Sequence, residues 1–425
     1  MTRSSSTPRF RSGQAPLRGG VVAGLDIGST KTCVVIGVAT AEPGRPATLK
    51  VLGVGQARTG GMRREVVTDI EETTESVRQA LKEAELMAGV KPVRVFAGIA
   101  GEHIQSGTST GVVAVAREEI AAADVERVQA VARAVLVPAD RELLHVLPQE
   151  YAVDHQVGIR DPAGMAGTRL EAEVFIITAS ATAGQNLRKA ASRAGYVLEA
   201  LVHEPLATAH AVLTEDEREI GVALVDLGGG TTEVAIFRDG KTRHLATLPW
   251  GGAVVTNDLV KGLSIPFAEA ERVKEKHGAA FAQLVDPRDL IDIPGPGPGA
   301  RRPVARELVA HIIEQRLDEI LGLVAREIES AGESSKLGAG VVLTGGGASL
   351  PGIVEIAQQV FGQHVRVGVP GDGLRGLVDS VRRPKFATAT GLALYAAQRT
   401  LANGGGARFA HGTVGRVVAW LKEFF

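Results

Sequence analysis

The chain has 425 residues, 44% of them hydrophobic but only 4% aromatic, and a formal charge of −1. That length allows two or more domains with cores built from Val, Leu, Ile and Ala, and the lack of a basic excess argues against a nucleic-acid partner. A single cysteine, Cys33, excludes disulfides within the chain and suits a reducing cytoplasm.

Residues 1–20 carry Arg3, Arg9, Arg11 and Arg18, several serines and no acid, so a disordered tail is expected. The first patterned stretch is 22-VAGLDIGSTKTCVVIGV-38. It reads as an apolar strand ending at Asp26, a turn containing Gly28, Ser29, Thr30 and Lys31, and a second apolar strand that buries Cys33. A strand at 49–58 follows, then a helix over about 69–88 with Val77, Leu81 and Ala84 at helical spacing. The strand 93-VRVFAGIAG-101 opens a small α/β segment. Its further elements are a strand from Gly111 to Val115, a helix over about 124–136 (Val125, Val128, Ala132, Val135) and a strand at 143–154. His145 and His155 lie in this segment with no metal-ligand partner at useful spacing, which points to surface or strand positions. The first domain is expected to resume with a strand at 171–180 and a helix at 184–195.

The second half opens with 197-VLEALVHEP-205 and then repeats the first pattern at 221-GVALVDLGGGTTEVAIF-237. Gly228, Gly229 and Gly230 let the backbone bend and present N–H groups to an anion, and Thr231 and Thr232 add hydroxyls. Asp226, like Asp26, ends its strand where a carboxylate meets a phosphate-bound metal rather than the phosphate. Such a unit recurring half a chain apart argues for two related domains clamping one polyphosphate and its Mg²⁺. Within 269-EAERVKEKHG-278, Glu271 and Lys274 share a helix face, either as a solvated ion pair or as ligand contacts. A Pro/Gly loop, 294-PGPGPGARRP-303, precedes a long helix over about 304–330, with Leu308, Ile312, Ile320, Leu321, Val324 and Ile328 on its apolar side and Gly332 as its stop. A third glycine run, Gly345, Gly346 and Gly347, follows a strand and precedes a helical run beginning near Pro351.

Beyond Tyr395 the pattern fades at 402-ANGGGARFAHG-412, a flexible linker by composition. In the last stretch, 413–425, Val414, Val417, Val418, Trp420, Leu421, Phe424 and Phe425 fill about 160° of a helical wheel. The helix is about 20 Å long, too short for a hydrocarbon core of about 30 Å, and it suits an interfacial membrane anchor; docking on the protein's own core or a partner groove is the alternative. One such helix binds lipid weakly, so attachment calls for many linked copies, as in a filament.

The two aspartate hairpins, the third glycine run and the helical segments 203-HEPLATAHAVL-213 and 384-PKFATATGLALY-395 resemble, in order, the signatures of the actin, Hsp70 and sugar-kinase superfamily. With 145-HVLPQEYAVD-154, 213-LTEDEREIGV-222 and the terminal helix, the chain resembles the FtsA family of bacterial actin homologues. That resemblance implies an α/β, actin-like ATPase fold: two duplicated RNase H-like domains around a nucleotide cleft, with an inserted subdomain 1C. It implies subdomain 1A from 21–92, 164–196 and 384–400, 1C at 93–163, 2A from 197–250 and 331–383, and 2B at 251–330. It further implies ATP with Mg²⁺ as cofactors, with Asp26 and Asp226 beside the metal and Gly28 to Lys31, Gly228 to Thr232, Glu271, Lys274 and Gly345 to Gly347 around the nucleotide. The implied activity is at most a weak ATPase, with Glu204, in a His-Glu-Pro context, as the catalytic candidate beside the two aspartates. Implied partners are the C-terminal peptide of FtsZ on 2B, further copies of the chain in filaments, lipids on the cytoplasmic face of the cell membrane at the division site, and later division proteins on 1C. Arg301, Arg302, Arg306 and Arg316 are the candidates for meeting the FtsZ peptide. A PilM-like pilus-assembly homologue, or an Hsp70- or sugar-kinase-type ATPase, is the alternative reading.

Overall fold

The computed structural model describes residues 20–41, 47–295, 297 and 299–405. The chain begins with a meander of β1 (Val21–Ile27), β2 (Lys31–Thr40) and β3 (Thr48–Arg58). Two short strands, β4 (Met62–Arg63) and β5 (Val66–Val67), pair with each other before α1 (Ile70–Ala88). Asp69 caps α1 by accepting from the amides of Glu71 and Glu72, and Gly89 ends it at φ 67°. Next, β6 (Arg94–Ile99) lies parallel to β1. This corrects the sequence reading, which placed the strand in the insert: it is buried almost throughout, as a central parallel strand must be.

The insert is β7 (Gln105–Ala114), α2 (Ala122–Arg133), β8 (Arg141–Val153), β9 (Gln156–Ile159) and β10 (Arg169–Ser180). Its antiparallel sheet has the order β7-β10-β8-β9, and one face packs on α2 through Val113, Val128, Tyr151 and Leu170. The strand expected to resume the first domain at 171 is β10, and it belongs here because both its neighbours are insert strands. The insert therefore runs from about residue 101 to 180 rather than 93–163. His145 is buried on β8, where its Nε2 accepts from the His203 amide, while His155 is exposed at a turn.

After α3 (Ala181–Arg193), β11 (Leu198–His203), α4 (Glu204–Val212) and α5 (Glu215–Ile220), the second domain repeats the first. Its meander is β12 (Val222–Leu227), β13 (Thr232–Arg238) and β14 (Lys241–Leu248). The helices α6 (Gly252–Leu263) and α7 (Phe267–His277), the hairpin of β15 (Leu290–Pro294) and β16 (Arg301–Ala305), and α8 (Arg306–Ser330) form a lobe on it. Then come β17 (Val341–Thr344), α9 (Ile353–Phe361), β18 (Val365–Val367), β19 (Leu374–Gly376) and α10 (Ala387–Gly405). The second sheet, β14-β13-β12-β17-β18, matches β3-β2-β1-β6-β11 of the first strand for strand. The hairpin registers match too: Asp26 pairs Cys33 and Ile27 pairs Thr32, as Asp226 pairs Glu233 and Leu227 pairs Thr232.

Further expectations shift. β11 pairs with β6 in the first sheet, so the second domain begins after it and not at residue 197. β19 pairs with β3, so the chain re-enters the first domain before residue 383. On α8 the buried stripe is Val309, Ile313, Leu317, Ile320, Leu321, Val324 and Ile328, while Leu308 is exposed; both phases are apolar at the helix start, and packing chose the other. The third glycine run leads into a single 3₁₀ turn (Gly347–Ser349), and α9 starts only after Gly352. α10 extends through the expected start of the linker, and the terminal stretch 413–425, with Val414, Val417, Val418, Trp420, Leu421, Phe424 and Phe425, lies outside the described residues. No described helix is long and apolar enough to cross a membrane.

Pleat alternation places the site. Residues 23, 25 and 27 of β1 pack against α1 and α3, whereas Val22 and Val35 face α4 and α10. In the second sheet Ala223, Val225 and Leu227 face α6 to α9, whereas Val222, Leu224, Ala235 and Phe237 join the same core as Val22 and Val35. α4 and α10 are thus sandwiched between the two sheets. They cross where a Cβ on Gly391 would lie 1.8 Å from the Ala207 carbonyl oxygen, so only glycine permits that approach.

Candidate functional site

Because Asp26 and Asp226 share the alternation of Val22 and Val222, both carboxylates point toward the α4–α10 pair from opposite sheets. Both are buried. Asp226 accepts from the Thr388 hydroxyl on α10 (3.1 Å), and Thr388 is 3.0 Å from Thr208 on α4. Asp26 lies 3.7 Å from the Lys31 ammonium, which also donates to the Lys385 carbonyl.

The turns between these strands face one another. A Cβ on Gly229 would lie 2.2 Å from the Thr30 hydroxyl, and one on Gly230 would lie 2.4 Å from that of Ser29. Gly228 and Gly229 accept through their carbonyls from the Gly252 and Ala253 amides at the start of α6. Gly345, at φ +83°, passes so close to Asp226 that a Cβ would sit 2.2 Å from its Oδ1; Gly347 packs on Leu227, and Gly346 has open space around it. Lys274 donates to the Gly252 carbonyl (3.0 Å), the Thr256 hydroxyl (2.8 Å) and Glu271 (2.9 Å), so the Glu271–Lys274 pair is tied to the second glycine turn rather than solvated. The pieces read separately along the sequence therefore converge on one cleft.

Thr232 departs from expectation. It pairs with Leu227, faces the far side of the sheet and donates to the Trp250 carbonyl (2.7 Å), bracing the turn instead of lining the cleft. Thr231 donates to Glu233 (2.6 Å). Glu233 and Glu65 are buried cleft residues that sequence reasoning missed. Glu233 had a signal, a carboxylate inside an apolar strand; Glu65, in a plain polar loop, had none. Glu204 begins α4 and packs so tightly on Gly98 that a Cβ there would meet its Oε1 at 2.6 Å.

Five carboxylates consequently share one buried space. Burial raises Asp26, pushes Asp226 up to about 6 with Asp26 beside it, and pushes Glu65 up to about 7. Burial, and then the charge of Glu65 nearby, holds both Glu204 and Glu233 well above the usual carboxylate range. Such crowding favours a bound cation. Among the described residues no three His, Cys, Asp or Glu side chains converge as a protein-only cage.

The four arginines stand apart from this cleft, in the helical lobe. Arg302 donates to the Leu263 carbonyl, Arg306 to the His277 carbonyl (2.9 Å) and Arg316 to Asp258 and Glu319. Arg301, on the exposed edge of β16, donates to the Asp292 carbonyl and lines a groove with Arg272, Lys276, His277 and Leu290.

Comparison with known proteins agrees with this architecture. Residues 223–391 match the family model "Cell division protein FtsA", and residues 101–178, nearly the insert found here, match "SHS2 domain inserted in FTSA". Relatives described as cell division protein FtsA include those of Pseudomonas aeruginosa (42% identity, 90% of both chains), Neisseria meningitidis (39%, 94% of this chain and 98% of that one) and Escherichia coli (36%, 95% and 96%). Among solved structures, a PilM–PilN type IV pilus biogenesis complex superposes with a TM-score of 0.62 at 16% identity, covering 90% of this chain and 99% of that one. MreB5 of Spiroplasma citri bound to ADP gives 0.52 at 13% identity, covering 90% and 98%. Those likenesses show an actin-like fold, and identity of 36–42% over nine-tenths of the chain or more shows that it belongs to the FtsA family.

Proposed function

We propose that this chain is an ATP-binding, actin-like cell division protein that polymerises on the cytoplasmic membrane and holds FtsZ filaments to it. The carrying observation is the convergence of Asp26 and Asp226, from equivalent strands of two matched sheets, on one buried cleft closed by two facing glycine turns. Backbone N–H groups of the turns at 28–31 and 228–231 suit a polyphosphate. Asp26 and Asp226 would hold Mg²⁺ through its water shell, and the ion would neutralise phosphate charge. Lys274, Glu271 and Gly345, gathered against the second turn, suit the nucleoside end. Glu204 is the candidate for orienting a water; burial among carboxylates favours its neutral form, which supports at most a slow hydrolysis.

The remaining parts of the reading come from the family and from the sequence. The groove beside Arg301, where Arg272, Lys276 and Arg301 outweigh the one acid, Asp292, and Leu290 and Ile291 are apolar, suits an acidic-apolar peptide such as the FtsZ tail. The terminal helix is the proposed lipid anchor, filament formation supplies the copies that make it effective, and the insert is the surface for later division proteins.

Titration calorimetry of the full chain with Mg·ATP tests the cleft. The unsubstituted protein is expected to bind, and Asp226→Asn to lose on the order of ten-fold in the presence of Mg²⁺ but little in EDTA. Equal binding by both proteins in Mg²⁺ would remove the metal role of Asp226. No nucleotide binding by the unsubstituted chain would remove the reading itself.

A further inference from the structure

The loop between β3 and α1 contains a turn that its sequence does not favour. Met62 pairs with Val67 and Arg63 with Val66, which leaves Arg64 and Glu65 as the central residues of a two-residue hairpin. Both have left-handed backbones, at φ 47° and 62°. Turns of this kind ordinarily take Asn-Gly or Asp-Gly, and strain held at other residues marks a functional position. Ser29 holds the turn in place. The Glu65 carboxylate accepts from the Ser29 amide (3.1 Å) and hydroxyl (2.8 Å), and the Glu65 amide donates back to that hydroxyl (2.9 Å).

A carboxylate seated on the N–H and O–H of a glycine turn occupies the donors a phosphate needs. The same turn reaches the other hairpin: the Arg64 Cα would lie 3.3 Å from a Cβ on Gly230. Position along the cleft also matters. Lys274 stands against Gly252, whereas Glu65 stands at Ser29 beside Gly230.

We propose that Glu65 is an internal competitor for the terminal phosphate, holding the Ser29 donors until a nucleoside triphosphate takes them and so setting the preference between tri- and diphosphate. This rests on the nucleotide reading of the cleft. A diphosphate anchored at the nucleoside end leaves Ser29 to Glu65, while a third phosphate meets both the carboxylate's charge and its claim on the donors. Displacement frees the strained turn, and with it Arg63 and Arg64, which are exposed.

The test compares ATP, ADP and a non-hydrolysable ATP analogue on full-length protein with Mg²⁺. Glu65→Gln is expected to raise affinity for the triphosphates on the order of ten-fold while leaving ADP within two-fold, because a hydrogen bond to a charged group is replaced by a weaker neutral one. An unchanged ratio of triphosphate to diphosphate affinity overturns the proposal. A second measurement needs no variant: tryptic cleavage after Arg63 or Arg64 in the unsubstituted protein should be faster with the ATP analogue than with ADP, and equal rates also overturn it. If the unsubstituted protein binds neither nucleotide, the failure lies in the cleft reading; if it binds both and the ratio does not move, the failure is that of Glu65 alone.

Discussion

Replacing Glu65 with Gln also gives a test that needs no ligand. In the folded chain burial first, and then the charges of Asp26 and Asp226, outweigh the Ser29 hydrogen bonds that lower this carboxyl and lift it from 4.5 to about 7. Between those two values the native state keeps a proton that the unfolded chain has lost. Its contribution is therefore fully present below about pH 4.5, declines as pH rises, and is gone above about 7. A shift of this size corresponds to roughly 3 kcal/mol. Gln cannot ionise, so Glu65→Gln should match the parent near pH 4.5 and exceed it at pH 8 by up to roughly 3 kcal/mol. For a chain of this length that is on the order of 3 °C in melting temperature. The assay is differential scanning fluorimetry of both proteins across pH 4.5–8 in EDTA, without nucleotide. A difference between them that stays constant with pH, or favours the parent at pH 8, would refute the argument that burial among like charges raises this group.

Other expectations are independent of that carboxyl. Gly391→Ala would push α4 from α10 at the Ala207 carbonyl, and a urea melt should show a loss of about 2–3 kcal/mol. Lys274→Met removes the ammonium that joins Glu271, Thr256 and the Gly252 carbonyl, so ATP and ADP affinity should fall together, on the order of ten-fold, by calorimetry. Deleting the residues after Gly412 should abolish co-sedimentation with anionic liposomes while leaving nucleotide affinity unchanged; equal pelleting of both forms would remove the anchor.

Much of the cleft is legible in the sequence. The aspartate that ends each first strand and the glycines after it are local requirements: a strand must stop, a turn must bend without Cβ atoms, and the backbone must approach an anion. Each leaves its mark on consecutive residues, and duplication wrote that mark twice. The helical periods of α1 and the α8 stripe were equally local, although at Leu308 two apolar phases competed and only packing chose between them.

What stayed hidden was set by partners distant along the chain. The strand 94–99 and the strand 169–180 read alike as apolar runs, and their membership in different sheets depends on which neighbour each hydrogen-bonds. Thr231 and Thr232 are adjacent and chemically the same, yet pleat alternation sends only one toward the cleft. Glu65 meets Ser29 across 36 positions, held by a left-handed turn that its residue types do not announce. Sequence alone thus determined the family, the two aspartate hairpins and the repeat that relates them. The tertiary fold decided which side chains share the buried space between them, because burial and charge crowding arise only when separate segments exclude water together.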